Sequence, residues 1–112
     1  RNTSFLKKSG KISLAPIYDF APMKADPEVV TRSTTWGSPY EEGGEYRWDQ
    51  ITQKLEHLCD PNLSLTTLKS LANHLVGLKQ RLIDKGVPKQ IIEIPALSFD
   101  YVEAKLERWE LL

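Results

Sequence analysis

Apolar residues follow two different periods along this chain of 112 residues, and the change of period divides it. Near the start the alternation is strict. Ile12 and Leu14 alternate with Lys11 and Ser13, and Thr3-Ser-Phe-Leu-Lys7 is a second short alternating run, as in strands with one apolar and one wet face. Lys8-Ser9-Gly10 supplies turn chemistry between them, so the pair predicts an antiparallel β-hairpin. Pro16 removes a backbone donor and ends the ladder. From Arg47 the period lengthens. Trp48, Ile51, Leu55 and Leu58 recur at spacings of three and four, which predicts a helix to about Cys59. Asp60-Pro61-Asn62 stops it, and Asn62 or Ser64 is the expected cap of the next. Leu65, Leu68, Leu71, Ala72, Leu75, Leu78 and Leu82 then mark one longer helix ending at Gly86. Pro88 opens a short helical turn through Ile92, and Pro95 ends it. Ser98 is the expected N-cap of a last helix whose shared face carries Phe99, Val102, Leu106 and Trp109.

Residues 23–46 follow neither period. Pro27, Pro39, Gly37, Gly43 and Gly44 interrupt any long element there. Val29-Val30-Thr31 and Ser33-Thr34-Thr35-Trp36 are candidates for short strands. Thr31, Ser33, Thr34 and Thr35 are candidate phosphoacceptors, with Arg32 as a charge partner. Read otherwise, the segment is a solvated connector whose Trp36 and Tyr40 cover the helices below. The expected fold is α+β: a hairpin within residues 1–22, an irregular loop over 23–46, and a lobe of three or four helices over 47–112.

Composition narrows the function classes. Hydrophobic residues make up 40% of the chain and charged residues 27%, which supplies a core and argues against disorder across most of it. Fifteen basic and fifteen acidic side chains cancel, so direct binding of nucleic acid or a membrane surface is not expected from charge. No window has the apolar length of a membrane span, and no stretch resembles a signal peptide. The single cysteine, Cys59, excludes an internal disulfide, agrees with a reducing cytoplasm, and is expected as a small buried apolar residue. His57 and Cys59 are two apart and point to different faces of a helix, so they do not close a zinc site. Trp36, Trp48 and Trp109 are expected as core or interhelical contacts.

One carboxylate stands out. Ile17-Tyr18 runs directly into Asp19, followed by Phe20 and Pro22, and a lone charge among apolar residues is costly unless it is partnered. Asp19 either caps a turn or short helix at 21–23 or holds a cation. An antiparallel hairpin has its entrance and exit at the same end, which brings Asn2 and Asp19 towards each other although they are seventeen positions apart. An amide oxygen and a carboxylate form a hard, all-oxygen pair suited to Mg²⁺. Lys7, Lys8 and Lys11 concentrate positive charge at the hairpin tip, either as a solvated end or facing a phosphate.

Arg1-Asn2-Thr3-Ser4 followed by Leu14-Ala15-Pro16-Ile17-Tyr18-Asp19 resembles the C-terminal lobe of HipA-like serine/threonine kinases, the toxins of bacterial toxin–antitoxin pairs. The resemblance is close over residues 1 to about 22; beyond that it is one of general character. In that family the loop Asn is followed by a hairpin and a Leu-x-Pro-x-Tyr-Asp motif that replaces Asp-Phe-Gly. The resemblance implies that Asn2 and Asp19 bind Mg²⁺, that ATP is the co-substrate, and that a protein hydroxyl receives the phosphoryl group. It also implies a bacterial cytoplasmic protein, a protein substrate and a small DNA-binding antitoxin partner. The chain begins at Arg1 with the strand pattern two residues on. It carries no glycine-rich phosphate loop, no ATP-pairing lysine in a strand and no catalytic Asp ahead of Asn2. It is therefore expected to be a fragment that is inactive alone. The alternatives are a non-catalytic helical interaction module, with Asp19 structural, and a nucleic-acid-acting protein that uses the hairpin lysines.

Overall fold

The structure, a computed structural model, describes residues 3–18, 23–26, 28 and 32–112. The fold is α+β, with two small antiparallel hairpins and, among the described residues, five α-helices. Strands β1 (Phe5–Lys8) and β2 (Lys11–Leu14) pair in the register Phe5↔Leu14, Leu6↔Ser13, Lys7↔Ile12 and Lys8↔Lys11. The connection is two residues long, not three: Lys8 belongs to the ladder, and Ser9 and Gly10 make the turn with φ of 51° and 78°. Positive φ at both positions matches the right-handed twist of the flanking strands. Phe5, Ile12 and Leu14 share one face with Lys7, and all eight strand residues are exposed.

A second hairpin lies where the sequence pattern predicts loop. Strands β3 (Glu41–Glu42) and β4 (Glu45–Tyr46) pair around Gly43 and Gly44, whose φ values are 59° and 83°. Ser33–Trp36, expected as a strand, is irregular. Val29-Val30-Thr31 lies outside the described residues.

The helical lobe is more broken than its leucine stripe predicts. Helix α1 spans Trp48–Lys54, and the chain then tightens: the amides of Leu55, Glu56 and Leu58 reach back three residues, to Thr52, Gln53 and Leu55. Three residues per turn instead of 3.6 swing later side chains off the buried face. Leu58 is consequently 73% exposed, and Cys59 is exposed, not the buried apolar residue expected. Helix α2 (Pro61–Leu75) is capped by Asp60, not by Asn62 or Ser64; the Asp60 carboxylate accepts the amides of Asn62 at 2.8 Å and Leu63 at 3.0 Å. Pro61 at the first helical position carries no donor to leave unsatisfied, which makes Asp60 the better cap.

The stripe from Leu65 to Leu82 is two helices, α2 and α3 (Leu78–Asp84), parted at Gly77 with φ of 69°. The carbonyls freed at that break are taken by Arg81, whose guanidinium donates to His74 O and Val76 O. The Gly77 amide donates to Glu103 Oε1 at 2.8 Å. Helix α3 ends as expected at Gly86, where Gly86 N–H reaches Ile83 O and Val87 N–H reaches Leu82 O, closing the left-handed cap that glycine favours.

After the short α4 (Lys89–Ile92), Pro95 begins a 3₁₀ turn, Pro95–Leu97, that lies against a second one at Met23–Ala25. Ser98 is not an N-cap: it adopts a left-handed conformation and its hydroxyl donates back to Pro95 O. A 3₁₀ turn at Phe99–Tyr101 leads into α5 (Val102–Arg108). The core joins α2 to the end of the chain. Ala72, Leu106 and Leu111 are buried together, with Trp48, Leu65, Leu68, Val102 and Trp109 packed against them. Among the described residues no helix is long and apolar enough to cross a membrane.

Candidate functional site

The open end of the β1–β2 ribbon is where the sequence places its chemistry. The Ala15 amide donates to Ser4 O at 2.8 Å, carrying the ladder past the last residues of the strands. One step further out, the Ser4 hydroxyl donates to the Tyr18 phenolic oxygen at 2.9 Å. The two arms of the hairpin are thus tied together at Ser4 and Tyr18, fourteen positions apart. Asn2 and Asp19, the sequence-predicted metal pair, flank these residues and lie outside the described part of the chain. Among the described residues no group of three or more His, Cys, Asp or Glu side chains is arranged to hold a metal. The donor chemistry of an amide oxygen and a carboxylate fits Mg²⁺, which takes hard oxygen ligands and keeps several of its waters. The lysines are elsewhere: Lys8 faces Lys11 beside the turn, at the end of the ribbon opposite Ser4 and Tyr18.

The irregular segment is anchored by one carboxylate that sequence reasoning overlooked. Glu41, in β3, accepts the Trp36 amide at 2.9 Å on one oxygen and the Arg32 guanidinium on the other. The Trp36 amide first, and Arg32 beside it, hold the Glu41 carboxyl below the usual carboxylate range. Arg32 also lies over the ring of Tyr46, 5.5 Å from its centroid. Thr34 and Thr35 are exposed and line a shallow cavity of about 290 Å³ with Arg32 and Trp36.

Trp36 reaches the helices, as a covering side chain. With Trp48, Ile51, Leu55, Leu63 and Leu68 it lines an open apolar groove of about 460 Å³ between α1 and α2. Tyr40 covers α1 differently, with the Lys54 ammonium 4.2 Å above its ring. Behind the groove Tyr46 stacks on Trp48 at 5.2 Å and meets Trp109 edge-on at 5.0 Å.

Glu45 provides the matching tie on the other side of the second hairpin. Its carboxylate accepts Arg108 Nε and Nη2 on one oxygen and the Trp109 indole N–H, at 2.7 Å, on the other. These donors, Arg108 foremost, hold the Glu45 carboxyl below the usual range. The signal for both glutamates was Gly43-Gly44 between paired acidic and aromatic residues, a two-residue hairpin loop in miniature.

No protein-family model, no curated protein and no solved structure matches the chain.

Proposed function

We propose that this chain is the C-terminal part of a HipA-like serine/threonine protein kinase whose full-length form transfers the γ-phosphoryl group of ATP to a protein hydroxyl. The observation that carries the reading is the closed mouth of the first hairpin: Ser4 bonded to Tyr18 favours the convergence of the flanking Asn2 and Asp19. In this reading Asn2 and Asp19 hold Mg²⁺, which when bound offsets charge on the transferring phosphoryl group. The chain's own part is to fix an amide oxygen and a carboxylate at one place through a short, register-locked ribbon. The catalytic base, the ATP-pairing lysine and the phosphate loop belong to other parts of the parent protein. The partners are a protein substrate and a small DNA-binding antitoxin, in the cytoplasm.

Asp19→Ala in the full-length protein tests this. ATP hydrolysis and autophosphorylation both collapse, and Asn2→Ala weakens both with a raised Mg²⁺ requirement. Retention of both activities in Asp19→Ala would leave the hairpin structural only. The apolar groove beneath Trp36 favours a second reading, a helical interaction module, in which both substitutions leave partner binding unchanged.

A further inference from the structure

We propose that the outward face of α2 binds the same face of a second copy of this chain, the two helices running antiparallel about a twofold axis beside Thr67. The inference does not rest on the kinase reading and stands whether or not the parent protein transfers phosphate.

The face is symmetric about its own centre. Leu63 and Leu71 lie four positions either side of Thr67, and Asp60 and His74 lie seven either side. Four residues are close to one helical turn and seven to two, so these side chains share one stripe. All five residues are exposed, Leu63 by 61% and Leu71 by 58%, while Ala72 is buried on the other side of the helix. Leu63 and Thr67 also line the apolar groove with Leu55, which widens the apolar area around the stripe.

Charge is arranged to match. Lys69 is the one Lys, Arg, Asp or Glu within α2, and it lines a separate cavity with Leu65 and Arg108. No like charge therefore stands on the stripe between its two ends. At the first end Asp60 caps the helix through Oδ1, which leaves Oδ2 outside the cap. At the other end His74 has Nδ1 on Ser70 O at 2.7 Å, so Nε2 is the ring nitrogen left for a partner.

An antiparallel copy satisfies both ends at once. Thr67 meets Thr67 of the second copy, Leu63 meets the second copy's Leu71, and His74 meets the second copy's Asp60. The charged imidazole then donates Nε2–H to a carboxylate at either end of the contact. A parallel copy would instead set Asp60 against Asp60 and His74 against His74. A twofold contact requires one patch that complements itself, and this stripe has that property. The formal net charge of zero adds no long-range repulsion between copies.

Sedimentation of the full chain over a range of concentrations tests the proposal. A reversible dimer is expected, and a monomer at every concentration overturns it. Leu71→Glu, on an exposed side chain, is expected to keep the helical circular dichroism and abolish the dimer. His74→Glu sets an acid against the second copy's Asp60 and is expected to raise the dimer Kd by about tenfold or more. Thr67→Cys in a Cys59→Ser background is expected to give a disulfide-linked dimer on oxidation, whereas Thr66→Cys, turned away from the axis, does not. Ile12→Glu, on the exposed ribbon, is expected to leave the dimer intact. A dimer that survives Leu71→Glu, or one that Thr67→Cys fails to cross-link, overturns the α2 contact.

Discussion

Glu45 and Arg108 meet across sixty-three positions of sequence, with the guanidinium donating through Nε at 3.2 Å and Nη2 at 3.0 Å to a single carboxylate oxygen. The pair fastens the second hairpin to the last helix, and the Trp109 indole bonded to the other oxygen fixes the carboxylate plane. Both partners are about half exposed, so the tie positions the hairpin on α5 more than it stabilises the fold.

The same pair sets a pH dependence. The folded state holds the Glu45 carboxyl below its ordinary range, so the folded chain favours the ionised form more than the unfolded chain does. The resulting stability is fully present above the unfolded carboxylate value and is lost as pH falls through the depressed folded value. Glu41 acts in the same direction. Thermal midpoints measured on acidification below the usual carboxylate range should fall for the parent chain. They should fall less for the double variant Glu41→Gln, Glu45→Gln, which starts lower at neutral pH.

Asp60→Ala removes both hydrogen bonds at the start of α2. The expected loss is about 1 kcal/mol, the usual worth of a side-chain cap, read as a lower urea midpoint with an unchanged slope. Asn62→Ala, at the position the sequence suggested as a cap, should change the midpoint little.

Glu110→Gly should stabilise the chain. Glu110 has a φ of 56°, in the position after α5 where the backbone turns left-handed and Leu111 N–H closes onto Leu106 O at 3.0 Å. A residue with a Cβ is strained there by about 1 kcal/mol, and glycine is not. A rise in the urea midpoint checks it.

Leu106→Ala strikes the core where α2, α5 and the chain end meet. Leu106 is 4% exposed beside Ala72 and Leu111, so truncation leaves a cavity and costs about 2–5 kcal/mol. Loss of that size against a total stability of roughly 5–15 kcal/mol is readily seen in chemical denaturation. Leu58→Ala, on the strongly exposed side chain, should be near neutral.

The first hairpin was legible because alternation and Ser9-Gly10 agree on one structure, and local agreement of that kind rarely misleads. The helical lobe was legible as a lobe, through Trp48, Ile51, Leu65, Leu68 and Leu106, but not in its joints. Leucines continue at helical spacing straight across Gly77, and a lone glycine costs a helix only about 1 kcal/mol, so periodicity alone runs through it. The break depends on Glu103, twenty-six positions away, and on Arg81 folding back on the carbonyls it frees. Ser98 failed as a cap for a related reason: Pro95 precedes it and takes its hydroxyl. At the site, the expected pairing of Asn2 with Asp19 lies outside the described residues, and Glu41 and Glu45 owe their roles to partners that only the fold assembles.

The ribbon formed by β1 and β2 buries none of its strand side chains, with Phe5 71% and Ile12 69% exposed. Among the described residues its strands therefore add little cohesion to the remainder, and the melting of this chain is chiefly a report on its helices. Excising residues 3–18 should leave the calorimetric transition where it was while curbing clumping at high concentration, so a heat-stable preparation is no assurance that the ribbon has kept its shape.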